Sequence, residues 1–240
     1  MTQKYTFSDG KSKVILSFLL QPIVNTILKT INAYECLSQI ENITANKHYD
    51  KSTFFDNLDK NILKDIIIKQ IIEINGNTNL IRSKKISINI PASLLLDIEY
   101  LNKIVTLSSF ILAIEVTNMD INHDSFNILK KHMKHILKTS STEFWLDDFS
   151  SNRYDIEIVR AFPWNIIKLD KSIFNSHDYF HENINICKEI QKTKHFELIV
   201  EGVENKEKQK LANKYSTFSQ GYLYGRPKKT SHYLNLIASA

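Results

Sequence analysis

Eight short runs rich in β-branched residues recur along the chain: VILSFLL (14–20), INAYECLS (31–38), KISINI (85–90), FILAIEV (110–116), EFWLDD (143–148), NIIKLD (165–170), FELIVE (196–201) and TFSQ (217–220). Residues 54–74, 125–137, 153–162, 182–193 and 206–215 between them place apolar side chains at helical spacing, and a shorter such stretch opens after Pro91. This alternation leaves few folds open, because parallel strands need crossover helices and those helices cover the sheet. Eight repeats within 240 residues predict an α/β fold, a TIM-like (β/α)8 barrel. One connection departs from the pattern. Residues 21–30 are too few for a crossover helix but ample for a hairpin, so the first strand is expected to run antiparallel to its neighbour. No Pro/Gly-rich seam or internal repeat divides the chain, which reads as one domain over 14–240 preceded by a loose N-terminal tail, residues 1–13.

Composition excludes several classes. The only cysteines, Cys36 and Cys187, are far apart and flanked by nothing resembling a redox pair, so neither a disulfide framework nor a zinc module is supported and the cytoplasm is the expected compartment. KSKVILSFLLQPIV imitates a signal peptide, but Gln21 and Pro22 interrupt its apolar run and no cleavage site follows. No stretch has the length and apolarity of a membrane span. A net charge of +5 raises the question of a nucleic-acid partner. The basic residues are interspersed with acids, and KKHMKH (130–135) reads as a solvated helix face, so no nucleic-acid partner is expected. His132 and His135 have no third ligand nearby in sequence, which argues against a metal there.

In such a barrel, chemistry gathers where the strands end. The last inward positions are Glu35, Asn89, Glu115, Asp147 with Asp148, Lys168 with Asp170, Glu201 and Gln220. One acidic strand end could simply cap a helix. Several on one rim repel one another severely unless cations meet them, and oxygen-only ligation favours Mg²⁺ or Mn²⁺. The adjacent Asp147 and Asp148 allow two ions to share a carboxylate, an arrangement suited to phosphodiester hydrolysis. Lys168, set among carboxylates, is expected to stay protonated, hold the attacking water and stabilise developing charge.

Taken in order, QPIVN (21–25), YECL (34–37), SINIPASLL (87–95), IEVTN (114–118), LDDF (146–149), IIKLD (166–170), VEGVEN (200–205) and QGYLYGRP (220–227) resemble the EAL domain, the cyclic di-GMP phosphodiesterase family. The resemblance implies a barrel with an antiparallel first strand and hydrolysis of cyclic di-GMP to linear pGpG. It makes Glu35, Asn89, Glu115, Asp147 and Glu201 ligands of a first Mg²⁺ or Mn²⁺, and Asp148, with Asp147, of a second and weaker site. Lys168, Glu35 and Asp147 match catalytic positions. Asp170, Glu204 and Gln220 match positions supporting the second metal, the lysine or the nucleotide, and Gln21, Pro22 and Leu37 match the start of the substrate groove. A homodimer is a further expectation from the same resemblance, and a regulatory protein partner stands beside expression and self-association as a route of regulation.

Three departures bear on activity. Gln39 stands where the family usually has a phosphate-gripping arginine, and Asn118 where a glutamate commonly anchors the next loop. That loop reads DDFSSN rather than DDFGTG, and the lost glycines predict a less well-held Asp148. The competing expectation is therefore a degenerate domain that binds the nucleotide, or a protein, with little or no catalysis.

Overall fold

The computed structural model describes residues 4–8, 13–42, 54–55, 58–76, 84–230 and 232. Its strands are β1 (Tyr5–Ser8), β2 (Lys13–Asn25), β3 (Thr30–Asn42), β4 (Lys85–Pro91), β5 (Ile111–Thr117), β6 (Glu143–Phe149), β7 (Ile166–Leu169), β8 (Glu197–Val200), β9 (Phe218–Gln220) and β10 (Lys228–Lys229). The strands from β2 to β9 pair in chain order, and β2 pairs β9 to close a barrel. Steps from β3 to β9 are parallel, whereas β2 is antiparallel to both neighbours, as its short connection requires. The hairpin between β2 and β3 is held by Asn25 Oδ1, which accepts from the Ile27 and Leu28 amides at 3.1 and 2.9 Å.

The expected loose tail is in part a strand. β1 pairs with β2, and the Tyr5 ring stacks on Phe18 at 5.2 Å, so apolar burial holds a segment too short to register as a periodic pattern. The rest of that tail, residues 1–3 and 9–12, lies outside the described residues, as do residues 56–57 of the expected first helix. β10 was not expected either; it adds to β2 opposite Leu19 and Leu20.

The helices are α1 (Lys60–Asn75), α2 (Ile98–Leu107), α3 (His123–Thr139), α4 (Arg153–Ala161), α5 (His177–Gln191) and α6 (Lys206–Ala212). Each begins on a residue whose side chain accepts a backbone N–H: Asp59, Asp97, Asn122, Asn152, Ser176 and Asn205. Their buried faces, including Leu101, Ile104, Leu129, Met133, Ile136 and Ile158, pack on the outer side chains of the strands, such as Ile88, Ile114, Phe144 and Ile167. Burial of each such side chain contributes about 1.5–3 kcal/mol.

Inside the barrel, Ile23, Ala33, Ala113, Trp145, Ile166, Ile199 and Phe218 form a separate apolar cluster. Side chains alternate faces along a strand, so moving two residues toward the mouth keeps the inward direction. That step leads from Ala33 to Glu35, Ala113 to Glu115, Trp145 to Asp147, Ile166 to Lys168, Ile199 to Glu201 and Phe218 to Gln220. On the reversed β2 it leads from Ile23 back to Gln21. An apolar floor thus carries a polar layer directly above it.

Candidate active site

Lys168 sits at the centre of the polar layer and is 1% exposed. Its Nζ lies 2.7 Å from Glu201 Oε1, 2.8 Å from Glu115 Oε2, 3.1 Å from Asp147 Oδ1 and 3.6 Å from Glu35 Oε2. An ammonium has three protons to donate, so one of four carboxylates must be served otherwise. Glu35, the most distant, accepts from Asn89 Nδ2 at 2.9 Å and from Gln220 Nε2 at 2.6 Å. The cation that meets the rim acids in this structure is therefore Lys168 before any metal.

One ammonium does not balance the carboxylates of Glu35, Glu115, Asp147, Asp148 and Glu201. Burial alone would push the Lys168 ammonium down, but Asp147, Glu115, Glu201 and Glu35 outweigh it and hold it well above the usual lysine range. The acids show the deficit. Burial, followed by Glu35, raises Glu115 well above the carboxylate range against the pull of Lys168. Burial raises Glu201 to about 8, with Asp147 and Glu35 adding to it while Lys168 opposes. Asp148 is raised to about 6 by burial and then by Asp147 and Asp170.

Alternation would turn Asp148 away from Asp147, to the outside of the barrel. Instead the β6–β7 register shifts between Leu146 and Phe149, and Asp148 adopts a left-handed backbone with φ 50°. The bulge brings carboxylate oxygens of Asp147, Asp148 and Glu201 within 4.8 Å of one another. Nearby, Asn89 Oδ1 and Glu115 Oε1 are buried without a hydrogen-bond partner. Hard oxygen donors, excess negative charge and unserved buried oxygens fit a divalent cation.

The loop after Asp148 differs from the sequence expectation. In the segments following β5 and ending β6 the left-handed residues are Asn118, at φ 49°, and Asp148 itself, whereas Ser150, Ser151 and Asn152 need no positive φ. Polar side chains in place of glycine make bonds here. Asp155 Oδ2 accepts from Ser150 N, Ser150 Oγ and Asn152 Nδ2 at 3.0, 2.7 and 2.7 Å, and Asn152 Oδ1 accepts from Asp155 N at 2.9 Å. The Tyr154 hydroxyl donates to the Met119 carbonyl, tying this loop to the one after β5. Asn118 is exposed, and the tether between the two loops is supplied by the tyrosine.

A cleft of about 280 Å³ opens over this layer, lined by Gln21, Glu35, Leu37, Asp147, Asp148, Lys168, Glu201, Glu204 and Gln220 among others. A second cavity of about 410 Å³ shares Leu37 and Asp148 with it and continues over Asn89, Asn118 and the apolar face of α1. The EAL domain family model matches residues 9–227. The chain belongs to the EAL domain family. Over 120 residues it is 28% identical to the cyclic di-GMP phosphodiesterase PdeA of Borreliella burgdorferi, an alignment covering 48% of this chain and 18% of that relative. The chain is similar to an EAL domain protein from Listeria monocytogenes, with TM-score 0.69 at 21% identity over 94% of this chain and 93% of that one. It is also similar to the EAL-domain protein YkuI of Bacillus subtilis in complex with cyclic di-GMP and calcium, with TM-score 0.64 at 16% identity over 92% of this chain and 60% of that one.

Against this EAL fold, the sequence-derived set falls into two groups. Gln21, Glu35, Leu37, Asp147, Asp148, Lys168, Glu201, Glu204 and Gln220 share the cleft, with Asn89 beside Glu35 and Glu115 beneath Lys168. Pro22 and Asp170 do not line it. The Pro22 ring is close to Gly225, and Asp170 caps the 3₁₀ turn Lys171–Asn175 by accepting from Ser172 N at 2.8 Å. Lys171 also lines the cleft and escaped the sequence reading, while Gly202, Gly221 and Tyr222 lie within VEGVEN and QGYLYGRP but were not named there as site residues. Gly202 had a readable signal, the glycine after a strand-end acid: its φ is 66°, and a Cβ there would collide with Lys171. Tyr222 is 49% exposed and carries the Arg226 guanidinium 4.1 Å over its ring, so it is a rim group with one face occupied.

Proposed function

We propose that this EAL domain hydrolyses one phosphodiester of cyclic di-GMP, giving linear pGpG, with Mg²⁺ or Mn²⁺ at the mouth of the barrel. The observation that carries this reading is the charge imbalance around Lys168: one buried ammonium among several carboxylates, at the base of a cleft large enough to admit part of a nucleotide. Asp147, Asp148 and Glu201, with Glu35, Asn89 and Glu115, would hold two ions, the Asp148 ion being the weaker because its ligand rides on a left-handed residue. Such ions supply Lewis-acid polarisation of the phosphoryl oxygens and an acidified water.

The remaining work belongs to the chain. Lys168, kept protonated by its neighbours, would turn one N–H from a carboxylate that a bound cation neutralises to the attacking water and meet negative charge as it develops on the phosphoryl oxygens; it does not act as a base. Asn89 and Gln220 fix the Glu35 carboxylate by donating to its two oxygens, so it need not reorganise during the reaction. Gln21, Leu37 and Glu204 would form walls for the nucleotide, and Lys171, which lines the same cleft, would supply a cation to its second phosphate. The two cavities have Leu37 and Asp148 in common in their linings, which supports an elongated ligand with two bases. We take residues 14–240 as the catalytic domain and the cytoplasm as its compartment.

A second reading, a nucleotide-binding regulator with little turnover, is favoured by Gln39. Its amide oxygen accepts from Ser17 Oγ at 3.4 Å, so the position offers no cation to a phosphate. Incubating the purified chain with cyclic di-GMP and Mn²⁺ or Mg²⁺ separates the two. Formation of pGpG, abolished in Asp147→Asn, supports the enzyme. Binding of the nucleotide without pGpG at high protein concentration supports the regulator.

A further inference from the structure

Away from the acid layer, α5 carries a second convergence of metal-competent atoms. His177 and His181 are four residues apart and so project from one helix face. Their ring centroids are 4.1 Å apart, and their Nε2 atoms approach to 2.9 Å. The other nitrogen of His181, Nδ1, lies 3.4 Å from Tyr215 Oη. Tyr215 is itself held edge-on to His181, against Phe180 and beneath the Lys188 ammonium. The His181 tautomer with its proton on Nδ1, facing the phenol oxygen, is the one that leaves the Nε2 lone pair pointing at His177, as a metal requires.

We propose that His177 and His181 chelate a divalent transition metal of the copper, nickel and zinc group, at a site separate from the oxygen donors of the mouth. The spacing carries the argument. With metal–nitrogen bonds of about 2.0–2.1 Å, two nitrogens lie roughly 2.9 Å apart at a right-angle bite and roughly 3.4 Å apart at a tetrahedral one. The observed 2.9 Å matches the right-angle bite of square-planar or octahedral nickel and copper, and a small ring rotation admits zinc. Without metal, one Nε2 must carry a proton to bond the other. On binding, His177 gives up that proton from Nε2 and takes one on Nδ1 from solvent, so the exchange is a tautomer shift with no net proton change. The Asp178 carboxylate, 4.0 Å from His177 Nδ1, offsets the unfavourable positive end of the helix. His177 is exposed, which leaves the remaining coordination positions to water. Bound metal would staple the first turn of α5, next to the 3₁₀ turn that carries Lys171 to the cleft.

The test is calorimetric titration of the full chain with Ni²⁺ in the presence of excess Mg²⁺, which occupies the oxygen donors. One equivalent is expected for the native chain and for Asp148→Asn, and none for His177→Asn or His181→Asn, whose folding is checked by circular dichroism. Tyr215→Phe should keep the stoichiometry and weaken binding up to about tenfold. Equal Ni²⁺ binding by the native chain and both histidine variants would mean a hydrogen-bonded imidazole pair only and overturn the proposal, as would loss of the equivalent in Asp148→Asn. An unchanged affinity in Tyr215→Phe would remove the orienting role assigned to that residue.

Discussion

The two inner layers of the barrel are built from the same strands, two residues apart, and have opposite needs. Ala33, Ala113, Trp145, Ile166, Ile199 and Phe218 satisfy one another by packing. Glu35, Glu115, Asp147, Lys168, Glu201 and Gln220 cannot, because their one cation is outnumbered. The lower layer stabilises the fold, and the upper one spends part of that stability on a concentrated negative field. The lesson is that alternation fixes where an inward side chain points, while the residue placed there decides whether the position favours folding or chemistry.

The comparison breaks hardest at its largest member. Trp145→Ala in the apolar layer is expected to lower unfolding free energy by about 3–5 kcal/mol, measured by denaturant titration, because the site is fully enclosed and collapses poorly. If it cost no more than a surface change, the lower layer would not be the structural base. In the upper layer, Lys168→Met is expected to reduce cyclic di-GMP turnover by about 10²–10³-fold. It should also lower the melting temperature more without added divalent ion than with it, because the carboxylates lose their internal partner; equal losses in both conditions would contradict that account.

A buried acid outside the barrel sharpens the contrast between burial and crowding. Glu73 on α1 is raised from 4.5 to about 7 by burial. The folded protein keeps its proton where the unfolded chain has lost it, so stability should fall as pH rises from about 4.5 through about 7 and then level off. Glu73→Gln should flatten melting curves taken across that range and gain up to about 2 kcal/mol above it. An undiminished slope would assign the effect to the mouth instead. The smallest expected change is Tyr154→Phe, about 1 kcal/mol in stability with a few-fold loss of turnover, since it removes one hydrogen bond that joins the loops after β5 and β6.

The barrel was legible because eight β-branched runs alternate with stretches of helical spacing. The antiparallel β2 followed from one connection length. Asp148 shows the limit: periodicity turns it outward, and only the register shift with its left-handed backbone brings it beside Asp147. The Ser150–Asn152 loop was only half legible for a related reason. Glycine loss was weighed as backbone cost, whereas the replacing side chains bond Asp155, a tertiary gain that no single position announces. Tyr5–Ser8 went unseen because four residues are too short for a pattern, and Lys171 because a residue after a strand end gains its place only when Gly202 makes room.

The buried position of Lys168 separates assembly from activation. With its own counterion built into the chain, the mouth can form before any ion arrives, so a chelator should silence the protein reversibly without melting it. Under the proposed phosphodiesterase reading, the supply of divalent cation would then act as a dial on a scaffold that is already complete.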